Sequence, residues 1–168
     1  MDFLFREGVL VIPRARAGLP AISIELERIK EIESRIPELV RATPTSAIEL
    51  MTTFNEGMLH YARAISLIEL EKKEAQQAMK EAEAFSLLEK AEELLKTKGQ
   101  KSTAETRNAA VDLDQDVRDA RSRFNTLSTY STYFSHRMQA VEMAYYGAKK
   151  VLDVNLKLPD EKVLTGGK

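Results

Sequence analysis

Apolar residues recur at alternating spacings of three and four over two long stretches of the chain, and this repeat predicts most of its structure. The first row reads Met51, Phe54, Met58, Tyr61, Ile65, Ile68, Lys72, Ala75, Met79 and Ala82, with Lys72 its one charged member. Past Ala82 the row moves to Phe85, Leu88, Ala91 and Leu95, so one skip in the heptad is expected near residues 83–86. Gly57 weakens this helix by ~1 kcal/mol relative to alanine. The second row runs through Ala110, Leu113, Val117, Ala120, Phe124, Leu127, Ser131, Phe134, Met138, Val141, Tyr145, Ala148 and Leu152, and its one polar member is Ser131. Between the rows, residues 96–101 are polar, and Gly99 is placed to end a helix. Ser102-Thr-Ala-Glu105 then spells a capping box.

Two long helices joined by a short polar loop fold back antiparallel. Pairing residues whose numbers sum to roughly 199 sets Ala75 against Phe124 and Met58 against Val141, so that small faces large. Each helix has about 50 residues, which at 1.5 Å rise predicts a hairpin about 75 Å long. So thin a core is expected to complete its burial against the N-terminal helix and against other copies of the chain.

The N-terminal pattern is different. Phe3-Leu4-Phe5 and Val9-Leu10-Val11-Ile12 flank Arg6-Glu7-Gly8 and read as a hairpin or extended arm, followed by a loop at Pro13, Gly18 and Pro20. Ile22, Leu26, Ile29, Ile32 and Ile36 recur at helical spacing up to Pro37. Thr43 before Pro44 starts the first long helix, since proline there gives up a donor that had no partner. The expected fold is all-α: a long antiparallel coiled-coil helical hairpin preceded by a short helix and a small N-terminal extended or β-hairpin arm. Its parts are an arm and short helix at 1–42, the hairpin at 43–155 with a loop at about 96–102, and a flexible C-terminal tail at 156–168.

Composition narrows the function classes. The 168 residues carry 25 Lys+Arg against 26 Asp+Glu, which argues against a generic nucleic-acid coat. There is no cysteine, so disulfide scaffolds and thiolate metal sites are excluded. The apolar start is interrupted by Arg6, Glu7 and Gly8; it is too short to span a bilayer and lacks the order of a signal peptide. An intracellular, cytoplasmic protein with no membrane partner is expected.

Catalytic signatures are missing. No glycine-rich phosphate loop occurs. Asp112-Leu-Asp-Gln-Asp116 begins like a calcium loop but lacks the glycine after Asp116, and Arg123 stands where the bidentate glutamate belongs. The pairs Asp114–Arg118 and Asp119–Arg123 instead predict a solvated helix face. His60 and His136 are the only histidines, and neither has a glutamate three residues before it, as a di-metal helical site requires. The chain is expected to be no enzyme, with no catalytic residue, no metal site and no cofactor.

A binding surface is the better candidate. Arg123, Thr126, Tyr130, Tyr133 and Arg137 fall on one helix face, and such a stripe suits single-stranded nucleic acid, guanidinium to phosphate and ring to base. The alternative is that Tyr130 and Tyr133 pack against the helix at 22–36 or a neighbouring subunit. Residues 118–150 hold six bases and two acids, and residues 49–81 four bases and six acids, leaving an excess of two positive charges. Several copies acting together are needed for so small an excess to matter.

The order of features resembles one family: a short helix, Met58-Leu-His-Tyr61, a long helix with Lys72-Lys73, a polar break, Val111-Asp-Leu-Asp-Gln-Asp-Val117, and a long aromatic-containing helix. Over roughly residues 43–153 this is similar to the UvsY-type recombination mediators of tailed bacteriophages. The resemblance implies a homo-oligomer that binds single-stranded DNA and loads a RecA-like recombinase onto DNA covered by single-strand-binding protein. It also implies the cytoplasm of an infected bacterial host. The family's basic residues after the Lys-Lys pair correspond to Gln77 and Met79, with Lys80 nearby. The expected DNA-binding residues are therefore Lys72, Lys73 and Lys80 from the resemblance, with Arg121, Arg123, Tyr130, Tyr133 and Arg137 from the later helix. The other class of function is a structural coiled-coil assembly or tether protein that binds no nucleic acid.

Overall fold

A computed structural model describes residues 4–6, 8–14, 18, 20–99 and 101–156. Alternation with a period of two builds its one sheet: β2 (Val9–Ile12) buries Leu10 and Ile12, and β3 (Ile22–Glu25) buries Ile22 and Ile24. With β1 (Leu4–Arg6) they form a three-stranded antiparallel sheet in the order β1-β2-β3, with Leu4 opposite Val11 and Leu10 opposite Ile24. The expected N-terminal hairpin is present, and Gly8 turns it at φ +80°. A third strand joins it, which corrects the helix start expected at Ile22. That isoleucine fits both periods, and pairing with β2 satisfies its backbone groups. Helix α1 (Leu26–Ser34) follows and buries Ile29 and Ile32. A 3-10 helix, Ile36–Arg41, then carries Pro37 in its first turn, where the missing donor costs nothing.

The two long rows form α2 (Pro44–Phe85) and α5 (Gln115–Leu156). The chain divides into two compact units, Met1–Pro13, Pro20–Ile65 and Tyr133–Lys168 in the first, Arg14–Leu19 and Ser66–Thr132 in the second. Of the tail expected at 156–168, only Leu156 lies within the described residues, as the last residue of α5.

In the first unit α2 and α5 pack antiparallel. The Tyr61 ring meets Phe134 edge-on at 6.0 Å, and Phe54, Ala64, Val141 and Ala148 are buried around them. Gly57 is the point of closest approach: a Cβ there would stand 2.7 Å from Ile32 Cγ2 and 3.2 Å from Val141 Cγ1. The buried row of α2 is therefore not the one expected. Phe54, Tyr61, Ile68 and Ala75 are buried as predicted, but the intervening positions are Leu50, Gly57, Ala64 and Glu71 rather than Met51, Met58, Ile65 and Lys72. Those four are half-buried, one position further round the helix. At Gly57 the close approach of Ile32 from α1 requires the smaller residue, where hydropathy favoured Met58.

In the second unit a π-helical turn, Ser86–Lys90, ends α2 and leads into α3 (Ala91–Thr97). It absorbs one extra residue and so produces a skip in the repeat, slightly later than expected; Ala91 and Leu95 are buried as expected, whereas Phe85 and Leu88 are exposed and Ser86 is buried instead. Gly99, at φ +64°, closes α3 as expected. The capping box is one residue later than Ser102–Glu105, because α4 (Ala104–Leu113) begins at Ala104 and makes Thr103 and Thr106 the reciprocal pair. The second long row is also not one helix. Asp114 is extended (φ −68°, ψ 127°), and its carboxylate accepts the Asp116 N–H at 3.1 Å, capping α5. The break turns Leu113 away from the seam to 55% exposure.

Candidate nucleic-acid interface

In the second unit the seam of α2 places a carboxylate, Glu71, at 0% exposure. Arg14, just past β2, donates Nε–H to Glu71 Oε1 at 2.8 Å, and Arg123 of α5 donates Nη2–H to Oε2 at 3.1 Å. A buried charge persists only with such partners. Beside this clamp, Glu69 accepts from Lys72 Nζ at 2.6 Å and from the hydroxyl of the buried Ser131. The Lys72 ammonium, then the Ser131 hydroxyl, hold the Glu69 carboxyl below its ordinary range. Lys72 and Arg123 thus serve neighbouring carboxylates, which sequence reasoning missed. One signal was there: Glu71 continues the 4-3-4 row of Ala64, Ile68 and Ala75.

Arg121 divides its guanidinium between Glu83 at 2.7 Å and Asp112 at 2.6 Å. It lines a hollow of about 400 Å³ together with Lys80, Glu83 and Asp112, whose two carboxylates offset the two cations. Lys73 and Lys80 are exposed and have no ion pair within 4.0 Å among the described residues. Tyr130 is half-buried, and burial raises its phenol above the ordinary range.

The carboxylates at 112–116 do not form the expected i,i+4 pairs. Arg118 donates instead to the Asp112 carbonyl at 2.8 Å, Asp119 accepts from Gln115 at 2.7 Å, and Arg123 serves Glu71. Asp114 and Asp116 both take Lys90, at 3.2 and 2.6 Å. The cause is the break at Asp114, which points these side chains toward the π turn rather than along one helix. The Ser86 hydroxyl first, then Lys90, lower the Asp114 carboxyl.

The first unit holds the remaining two candidates. Arg137 binds Glu33 of α1, and the same carboxylate accepts the Tyr61 hydroxyl. Burial, then Glu33, push the Tyr61 phenol well above its ordinary range. Tyr133 is 56% exposed and sets its ring edge-on to Phe134 at 5.7 Å. Tyr61→Phe is expected to cost about 1.5–3 kcal/mol in a urea melt, the net worth of a hydrogen bond to a charged group.

Two of these shifts fix a pH dependence. Glu69 and Asp114 are held below their unfolded values, so their contribution is complete above the ordinary carboxylate range and is lost as pH falls through the folded pKa. Thermal melts are expected to show falling Tm from about pH 5 downward, and a flat profile there would contradict these assignments.

Among the described residues no three histidine, aspartate or glutamate side chains form a group able to hold a metal ion. His60 has Glu56 at 3.8 Å. No described helix is long and apolar enough to cross a membrane. The class defined here is an all-α protein built on a long helical pair, with a small N-terminal sheet. Neither protein-family models, curated proteins nor solved structures match the chain.

Proposed function

We propose that the chain is an oligomeric, non-enzymatic binding protein, and within that class a recombination mediator acting on single-stranded DNA and its recombinase. The observation that supports DNA binding is the pair Lys73 and Lys80, exposed on α2 seven residues apart and so on one helix face, with no ion pair within 4.0 Å among the described residues. The partner class rests on the resemblance of the sequence to UvsY-type mediators. Lys72, Arg121, Arg123 and Arg137 are spent on internal carboxylates, which leaves the contact in the second unit to these two lysines.

The same neutralised cations favour a second reading, a coiled-coil assembly protein that binds no nucleic acid. Fluorescence anisotropy with single-stranded and duplex oligonucleotides across a salt series separates the two. The mediator reading expects preference for single strands. Lys73→Glu with Lys80→Glu is expected to weaken binding at least tenfold at low salt and to flatten the salt dependence by about 1.4 in log–log slope. Absence of binding at low salt leaves the assembly reading.

A further inference from the structure

The π turn Ser86–Lys90 places one extra residue after α2, and that residue sets which side chains face the seam beyond it. In the present register the buried place goes to Ser86, at 1% exposure, while Phe85, Leu87 and Leu88 stand 50%, 38% and 77% exposed. A serine thus holds the inner slot within a run of larger apolar residues. Its surroundings are loosely filled, unlike an ordinary interior: a hollow of about 180 Å³ opens beside Ser86, between Ala91 and Leu94 on α3 and Ala110 and Leu113 on α4. All of these residues lie in the second unit.

A π turn has only to supply one extra residue between fixed ends, so more than one position serves. Moved to 80–84, about one turn earlier, it leaves the residues up to 79 and from 91 onward where they are. Each residue from 85 to 90 then rotates by about 100° into the place of its predecessor. Leu87 enters the buried slot of Ser86, Phe85 takes the half-buried place of Ala84, and Leu88 takes that of Leu87. Among residues 85–88 only Ser86 moves outward, to the exposed place of Phe85. We propose that this segment is a two-register helix, in which the π turn exchanges between 86–90 and 80–84 and swaps Ser86 for Leu87 in the seam.

Different forces favour the two registers. Charge ties the present one: Lys90 reaches Asp114 and Asp116 at 3.2 and 2.6 Å, and Glu83 reaches Arg121 at 2.7 Å. The other register buries Phe85, Leu87 and Leu88 more deeply and fills the hollow, but it breaks those pairs, since Glu83 and Lys90 rotate with the segment. Of the paired side chains only Asp114 is less than a third exposed, and ion pairs so open to water stabilise little. Two packings that differ by such small opposing amounts make a switch. The exchange leaves Arg121 with Asp112 alone, so the register also bears on a candidate DNA contact.

The chain has no cysteine, so Ser86→Cys supplies a single thiol in the seam with almost no change of shape. Its reaction with a maleimide is followed on the full chain across a urea series, beside unfolding by circular dichroism. Register exchange is expected to label the thiol at low urea at least about tenfold faster than global unfolding allows, with little dependence on urea. Adding Leu87→Ser, at a residue on the present surface, removes the side chain that takes the slot. It is expected to slow this labelling about tenfold, the worth of burying the rest of a leucine. Simple fraying of the segment would instead speed up when a leucine is lost. Labelling of Ser86→Cys that only keeps pace with global unfolding overturns the two-register helix, as does labelling that Leu87→Ser leaves unchanged or makes faster.

Discussion

Glu71→Ala is expected to destabilise the chain by about 3–5 kcal/mol, the largest effect of any single substitution considered for it, because it leaves two guanidinium groups against a dry site. Glu71 has no exposed surface, and its partners Arg14 and Arg123 retain side-chain exposures of only 20% and 15%. Most of that loss is the penalty for unpaired charge rather than the worth of the pair. The triple variant Glu71→Met, Arg14→Met, Arg123→Met should therefore return to within about 1 kcal/mol of wild type. Urea unfolding of the two variants decides the matter, and a cost below about 1 kcal/mol for the single change would show that the clamp is not desolvated. The clamp also bears on DNA binding. Arg123→Ala should lower stability before it alters any affinity, whereas changes at Lys73 and Lys80 should do the reverse.

Gly57→Ala reverses what helix propensity predicts. In an exposed helix the change would stabilise by ~1 kcal/mol. Here the new methyl must displace Ile32 Cγ2 from 2.7 Å and press on Val141 at 3.2 Å. Overpacking of this kind costs about 1–3 kcal/mol, so after the propensity gain a net loss of up to about 2 kcal/mol is expected in thermal or urea melts. In an Ile32→Ala background the same substitution should cost nothing or stabilise, giving a clear interaction energy in a double-mutant cycle. A gain in the wild-type background would show that α1 does not press on α2 at Gly57.

These two positions mark where the pattern of the chain was readable and where it was not. Phe54, Tyr61, Ile68 and Ala75 form half of the buried row of α2, and the repeat identifies them because large or apolar residues occupy them. The other half contains Gly57 and Ala64, which hydropathy ranks below their neighbours Met58 and Ile65, and Glu71, which is as polar as its neighbour Lys72. Burial there follows from what approaches from outside the helix: α1 at Gly57, and Arg14 and Arg123 at Glu71. On α5 Val117, Leu127, Ser131, Phe134, Val141 and Ala148 are buried as expected, whereas Ala120, Phe124, Met138, Tyr145 and Leu152 are half-buried and Ala144 takes the buried place beside Tyr145. The cations of the candidate interface failed for a related reason. A one-dimensional charge pattern shows i,i+4 neighbours, whereas Arg121, Arg123 and Arg137 meet carboxylates 38, 52 and 104 residues away.

The sequence by itself determined the helical class, the two long helices, the polar break closed by Gly99, the skip that becomes the π turn, and the N-terminal hairpin. All are local consequences of period, capping and backbone preference, acting over one or two turns. Only the tertiary structure decided that Ile22 joins a sheet, that a carboxylate occupies the seam, and which cations remain available to a ligand. Those outcomes depend on free energies of burial and pairing between residues far apart in the chain, and no local spacing records them.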